Sequence, residues 1–309
     1  MVEITRALNL NAEQEALIDM HSFLNVLNVL ACEMDLMAYG LGDSPPLQEA
    51  LALVHAFADA LQTPEQAASW LADPQSLQTR IHALLSQALE GVALDEELHA
   101  STDNIESILA VLGTRVRELE ARSGAPLGWA WLEVAPLRSD FWQLLLAIEK
   151  NSKGRYRITQ NIAEQQPDDY LIKVDIDSLE GDHLYVPAIF QDVMRDLLAN
   201  ARKYTSPGGR ILAGLKETER EIRFVVDDTG MGIPPHQIEG IVEFGVRGEN
   251  VRDRPTRGGG FGLTKAYWVV RHCNGRMWIH SDLGVGTCIE IILPRPRPQT
   301  APPQPTPAA

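Results

Sequence analysis

Between residues 11 and 122 the apolar positions recur at intervals of three and four, the spacing that gathers them on one side of a helix, so this stretch reads as helices almost throughout. In the first helix Leu17, Met20, Leu24, Leu27, Ala31, Met34 and Ala38 alternate as a seam. Ile105, Leu109, Leu112, Val116 and Leu119 repeat it in a helix between about 97 and 122. Two such helices form an antiparallel hairpin, and because a hairpin alone buries little, pairing of two copies into a four-helix bundle is expected. Gly40–Pro46 closes the first helix, and Thr63-Pro64 with Gln66, then Asp73-Pro74, supply helix starts further on. The segment 43–94, with Leu47, Leu51, Val54 and Leu61 on one helix and Ile81, Leu84, Leu85 and Leu89 on another, reads as an inserted pair.

From about residue 168 the pattern changes to strands alternating with helices. YLIKVDID (170–177), GRILAGLK (209–216) and EIRFVVDD (221–228) read as strands, a helix runs from about 188 to 203, and GRMWIHSD (275–282) with GTCIEIILP (286–294) make a hairpin around Gly284 and Gly286. The expected class is α+β. A helical dimerisation domain of the four-helix-bundle type occupies 1–125, a connector 126–167, and an α/β sandwich 168–294. The proline-rich end 295–309 is expected to be disordered.

Composition narrows the partners more than the fold. The formal net charge of −15 argues against nucleic acid, which needs a basic face. Cys32, Cys273 and Cys288 are widely spaced, so neither a disulfide framework nor a zinc site is indicated and a reducing cytoplasm is expected. No apolar run is read as approaching the roughly 18 residues of a membrane span.

The candidate chemistry lies in four blocks of the last third: DLLANARKYT (196–205), DDTGMGIP (227–234), RGGGFGL (257–263) and GVGT (284–287). Asp228 ends an apolar strand and enters a turn whose glycines let backbone approach a flat ligand, so its carboxylate can accept an exocyclic amine such as that of adenine. On the helix 188–203, Ile189, Val193, Leu197 and Leu198 line the apolar face, which leaves Asn200 and Lys203 for a cleft. An amide oxygen suits Mg²⁺ and an ammonium suits phosphate. Gly258, Gly260 and Gly262 precede an apolar helix whose free N–H groups would meet phosphates. Each block alone is commonly a turn or a solvated face. Four in one order point to a nucleotide pocket.

In that order the blocks resemble the ATP-binding domain of two-component sensor histidine kinases, members of the superfamily shared with gyrase and MutL. The resemblance covers about 168–294. It implies ATP and Mg²⁺ as cofactors, with Asn200 on Mg²⁺, Asp228 on the adenine amino group and Lys203 near phosphate. Tyr204 would lie against the base, with Gly230, Gly232, Leu263 and Thr287 completing the site. Arg247 and Arg257, in the glycine-rich lid, are candidates for phosphate contact.

With a nucleotide pocket in place, His21 becomes the candidate phosphate acceptor. His21, Asn25 and Asn28 fall at i, i+4 and i+7, a polar stripe on an otherwise apolar helix. A surface histidine beside two asparagines is the bland alternative. A free imidazole titrates near about 6.5, so its neutral form is an available nucleophile at neutral pH. DMHSFLNVL loosely resembles the phosphoacceptor box of these kinases, where a polar residue four positions on, here Asn25, positions a hydrolytic water. Three departures stand out: Ser22 replaces the acidic neighbour that often serves as proton acceptor, Asp196 stands where asparagine is commoner, and the interval from His21 to Asn200 is lengthened by the insertion.

The resemblance implies a cytoplasmic, homodimeric histidine kinase that phosphorylates His21 from ATP and passes the phosphoryl group to an aspartate of a response regulator receiver domain, with phosphatase activity also in view. Only twenty residues precede His21, so the signal is expected through the inserted helices, an upstream sensor protein or the tail. The alternatives are an ATP-binding scaffold that docks partners without autokinase activity, and a serine/threonine kinase or ATPase of the same superfamily.

Overall fold

Helix α1 (Ala12–Leu41) begins where Asn11 and Gln14 exchange hydrogen bonds: the Asn11 side chain accepts the Gln14 N–H at 2.8 Å and the Gln14 side chain accepts the Asn11 N–H at 3.1 Å. It ends at Gly42. In this computed structural model, which describes residues 1–61, 66, 70, 74–93, 95–121, 125, 127–150, 154–251 and 260–303, the chain forms two units. The expected starts at Thr63-Pro64 and Asp73 lie outside the described residues.

One unit, Asn9–Ser123, contains α1, α2 (Pro45–Ala60), α3 (Pro74–Leu89) and α4 (Glu96–Ala121). Contacts run α1 to α2, α2 to α3, α3 to α4 and α4 back to α1, so the helices close into a ring around one core. The seam of α4 lies entirely inside: Ile105, Leu109, Leu112, Val116 and Leu119 are all buried. On α1 the seam is wider than expected. Leu27, Ala31 and Met34 are buried, but Leu17, Met20, Leu24 and Ala38 are only half-buried, while Phe23, Leu30 and Met37 turn inward instead. The reason is that α1 meets two neighbours, α2 and α4, and each takes part of its circumference. Phe23 stacks edge-on against Phe57 of α2 at 5.6 Å between centroids.

Helix α1 is also long and apolar enough to cross a membrane, with a mean hydropathy of 1.2 over its best window, contrary to the expectation that no stretch approaches one. The bundle takes up only part of that apolarity: Leu27, Leu30, Met34 and Met37 are at most 1% exposed within it, but 28% of the window as a whole is buried.

The other unit is built on a seven-stranded sheet in the order β1-β8-β9-β7-β6-β4-β3. Its strands are β1 (Val2–Glu3), β3 (Ile158–Thr159), β4 (Tyr170–Asp177), β6 (Arg210–Glu217), β7 (Glu221–Asp228), β8 (Arg276–Asp282) and β9 (Gly286–Pro294). β3, β4 and β6 are parallel and the remaining pairs antiparallel. Alternation sets the inner face: Ile211, Ala213 and Leu215, then Ile222, Phe224 and Val226, then Met277 and Ile279 are buried. Helices α6 (Phe190–Tyr204) and α7 (Gly262–His272) pack against the sheet and each other.

Three expected boundaries move. The stretch 126–167 is no separate connector: β2 (Trp129–Glu133) pairs with β5 (His183–Pro187), with Trp131 opposite Tyr185, and α5 (Val134–Lys150) packs on β2 and β3. Met1–Leu8 belongs to the sheet unit rather than the helical one, because β1 pairs with β8 and the Tyr267 hydroxyl bonds the carbonyls of Ile4 and Arg6, at 3.1 and 2.8 Å. The tail is anchored at its start: Arg295 pairs with buried Glu217 at 2.7 Å and the Trp131 indole donates to the Thr300 carbonyl at 3.0 Å. Residues 304–309 lie outside the described ones.

Candidate nucleotide site and phosphoacceptor helix

Asp228 sits at the end of β7 opposite Thr287 of β9, so both face the same end of the sheet. The Gly230 N–H donates to its carboxylate at 2.8 Å, and the Thr287 N–H also bonds it. Burial nevertheless dominates and pushes the carboxyl up to about 6, with Asp227 adding repulsion and the two N–H groups opposing it.

The glycines around it are dictated by contact. Gly232 has φ +71°, and a Cβ there would lie 2.2 Å from the Asp282 carbonyl; at Gly286, φ +146°, it would lie 1.8 Å from the carbonyl of Asp228. Gly230 packs on the Tyr204 carbonyl, which accepts the Met231 N–H at 3.1 Å, so the turn is fastened to the end of α6. Ser281, which the sequence reading passed over, holds the floor: it accepts the Ile233 N–H at 2.7 Å, donates to the Gly286 carbonyl at 2.9 Å and lies 2.8 Å from the Thr287 hydroxyl. A serine at an inward position of β8 was the available signal.

Asn200 and Lys203 are half-buried on α6. Gly262, the first residue of α7, lies against Asn200: a Cβ would come within 3.1 Å of its amide nitrogen. Burial lowers the Lys203 pKa and nearby Arg247 lowers it further, so two cations converge on one place. A Cβ at Gly260, φ +78°, would meet Arg247 at 3.2 Å. The first N–H groups of α7, at Gly262 and Leu263, are the donors that no helical carbonyl can reach. Thr264 donates to the Glu243 carbonyl at 3.0 Å, and Phe244 lies 4.5 Å from Phe261, which fixes both ends of the lid. Gly258 and Arg257 lie outside the described residues.

Sequence reasoning also missed a buried ion cluster behind the site. Lys265 of α7, 0% exposed, reaches Asp192 of α6 at 2.9 Å, and Asp192 also pairs with Arg195 at 2.5 Å.

In the helical unit, His21 is 7% exposed, more enclosed than a stripe at the edge of a seam suggested. Its Nε2 lies 3.0 Å from the Asn25 amide nitrogen, so the i, i+4 pair is a hydrogen bond, whereas Asn28 is exposed.

The arrangement in the sheet unit is one carboxylate flanked by glycine turns, one amide, two cations and a helix N-terminus, the groups a nucleoside triphosphate requires. Residues 185–297 match the family described as histidine kinase-, DNA gyrase B- and HSP90-like ATPases. The adaptive-response sensory kinase SasA of Synechococcus elongatus is 29% identical over 251 residues, covering 80% of this chain and 59% of the relative. The sensor protein SrrB of Staphylococcus aureus is 33% identical over 104 residues, 34% of this chain and 18% of that one. The mycobacterial sensor histidine kinase MprB resembles 53% of this chain and 97% of its own, at 19% identity and a TM-score of 0.39. The chain thus spans 59% or less of these curated relatives' length. Residues 185–297 thus match the histidine kinase-, gyrase B- and HSP90-like ATPase family, and over a longer stretch the chain is similar to sensory kinases.

Proposed function

We propose that this chain is a protein histidine kinase: the Nε2 of His21 attacks the γ-phosphorus of ATP, ADP leaves, and the phosphoryl group passes to an aspartate of a response regulator receiver domain. The observation that carries the reading is the convergence of Asp228, Gly230, Thr287, Asn200 and Gly262 at one end of the sheet. Asp228 accepts the adenine amine, Tyr204 lies against the base, and Lys203, Arg247 and the α7 N–H groups take the phosphates.

The donor set at Asn200 fits a divalent cation held chiefly by phosphate oxygens and water. Among the described residues there is no cluster of three His, Cys, Asp or Glu side chains to cage one, and Mg²⁺ needs only one or two protein oxygens. When bound, Mg²⁺ neutralises phosphate charge. The chain's own part is to present the Asn200 amide oxygen.

Ser22 stands directly after His21 where an acidic residue often takes the ring proton, and in this reading the Nδ1 proton leaves to water. We place the protein in the cytoplasm, with its input delivered through the inserted helices, an upstream sensor protein or the tail. The enclosure of His21 favours a second reading, a kinase-like scaffold that binds ATP and docks a partner without phosphorylating itself. Labelling with γ-labelled ATP separates the two: an acid-labile phosphoprotein supports the kinase, and ATP binding without label supports the scaffold.

A further inference from the structure

Residues 295–309 hold six prolines in fifteen positions, too many for a helix or an inner strand, and such a chain favours the extended polyproline conformation, whose carbonyls have no internal partner. The structure gives part of this tail a seat. Trp129 and Trp131 stand two positions apart on β2 and therefore share one face, and Tyr185 of β5 stands directly opposite Trp131. The three rings form a ladder: Tyr185 lies 5.4 Å from Trp129 and 4.9 Å from Trp131 between centroids. Both tryptophans are only half-buried.

The tail leaves β9 beside this ladder. The Arg295 N–H donates to the Arg220 carbonyl at 2.8 Å, and the Arg295 guanidinium lies 5.4 Å from the centre of the Tyr185 ring while it pairs with Glu217. Among the described residues the chain beyond Arg295 makes one hydrogen bond, which the Trp131 indole donates to the Thr300 carbonyl at 3.0 Å. That carbonyl falls midway between Pro298 and Pro302, which are half-buried, while Pro296 and Pro303 are exposed. At the other end of the ladder a cavity of about 340 Å³ adjoins Trp129, Leu127, Cys273 and Pro296, so the face opens there into a recess. An indole N–H on a free carbonyl, set in a row of aromatic rings, is the chemistry by which aromatic-lined grooves take proline-rich segments. A proline-rich segment also loses little freedom on docking, which lets so few contacts hold it.

We propose that the Trp129–Tyr185–Trp131 face is a docking site for an extended proline-rich segment, and that residues 298–303 of the chain's own tail are its occupant. The tail thereby closes the face to proline-rich segments from outside. This holds whether or not His21 is phosphorylated.

In the full-length chain, Pro298→Gly with Pro302→Gly and Pro303→Gly frees the face, because glycine raises the entropy that the tail gives up on docking. A synthetic peptide of residues 298–309 is expected to bind this variant with sub-millimolar affinity in calorimetry. A tethered segment competes at about millimolar effective concentration, so the same peptide is expected to bind the unaltered chain about tenfold more weakly. Adding Trp131→Phe to the glycine variant keeps a ring but removes the donor, and should weaken the peptide several-fold. So should changing the peptide's own prolines to glycine, a comparison that leaves the protein untouched. Equal affinity for the unaltered chain and the glycine variant overturns the proposal, and so does absence of binding to that variant. Binding that survives both Trp131→Phe and the glycine peptide undiminished overturns it as well.

Discussion

The Asn25 amide nitrogen lies 3.0 Å from Nε2 of His21. An amide nitrogen only donates, so Nε2 is the acceptor and the ring proton sits on Nδ1. The tautomer is therefore the one that exposes a nucleophilic lone pair at Nε2, and the same bond occupies that lone pair.

Asn25→Ala is expected to speed phosphorylation of His21 by several-fold, since a hydrogen bond of about 1 kcal/mol no longer has to be given up. Initial labelling rates measure this. An unchanged or slower rate means the amide aids the reaction rather than restraining it.

In the proposed site Asp228 accepts the adenine amine most strongly as the carboxylate, and burial pushes its carboxyl up to about 6. ATP affinity is expected to fall as pH drops below 6, approaching tenfold per unit. Asp228→Asn should abolish that dependence and weaken binding at neutral pH by roughly 10- to 100-fold, the worth of a charged hydrogen bond. Calorimetry with ADP from pH 5 to 8 checks both. For stability the sign is opposite to that of a salt-bridged acid: the folded pKa is raised, so the folded state binds this proton more tightly and Asp228 adds stability as pH falls from 6 toward its unfolded value of 3.8.

The cluster of Asp192, Arg195 and Lys265 predicts an asymmetry. Asp192→Asn leaves two buried cations facing a neutral amide and is expected to cost about 3–5 kcal/mol. Lys265→Met keeps the Asp192–Arg195 pair and fills the same space, so its cost should be clearly smaller. Urea denaturation of both variants is the check, and equal losses would contradict the assignment.

How much of this could be read in the sequence depended on whether a residue's type constrains its neighbours. Gly232 and Gly286 were legible because a Cβ at either would meet backbone oxygen well inside contact distance, and Asp228 because it ends an apolar strand directly before that turn. Lys265 was not, since a lysine in an apolar helix ordinarily extends to water, and its partner Asp192 lies 73 residues away. The strand β1 has two residues, too few for alternation to register. The seam of α4 was read correctly as buried, yet periodicity says that a face is covered and never by what, so the inserted hairpin went unrecognised as the cover. On α1, contact with two helices turned Phe23, Leu30 and Met37 inward and relaxed the strict seam.

The Tyr267 hydroxyl, bonded to the carbonyls of Ile4 and Arg6, ties β1 to the sheet. Tyr267→Phe is expected to destabilise the unit by about 1 kcal/mol and to speed amide exchange at Ile279, opposite Val2 in β8. Exchange unchanged at Ile279 would mean that the strand holds without its latch.

The most direct test of the central claim is peptide mapping at neutral pH after incubation with ATP and Mg²⁺, which reads the phosphorylated residue itself. Phosphate on His21, absent in His21→Gln and in Asn200→Asp, is the predicted result. Phosphate on another residue, or on none while ATP is bound, would contradict it.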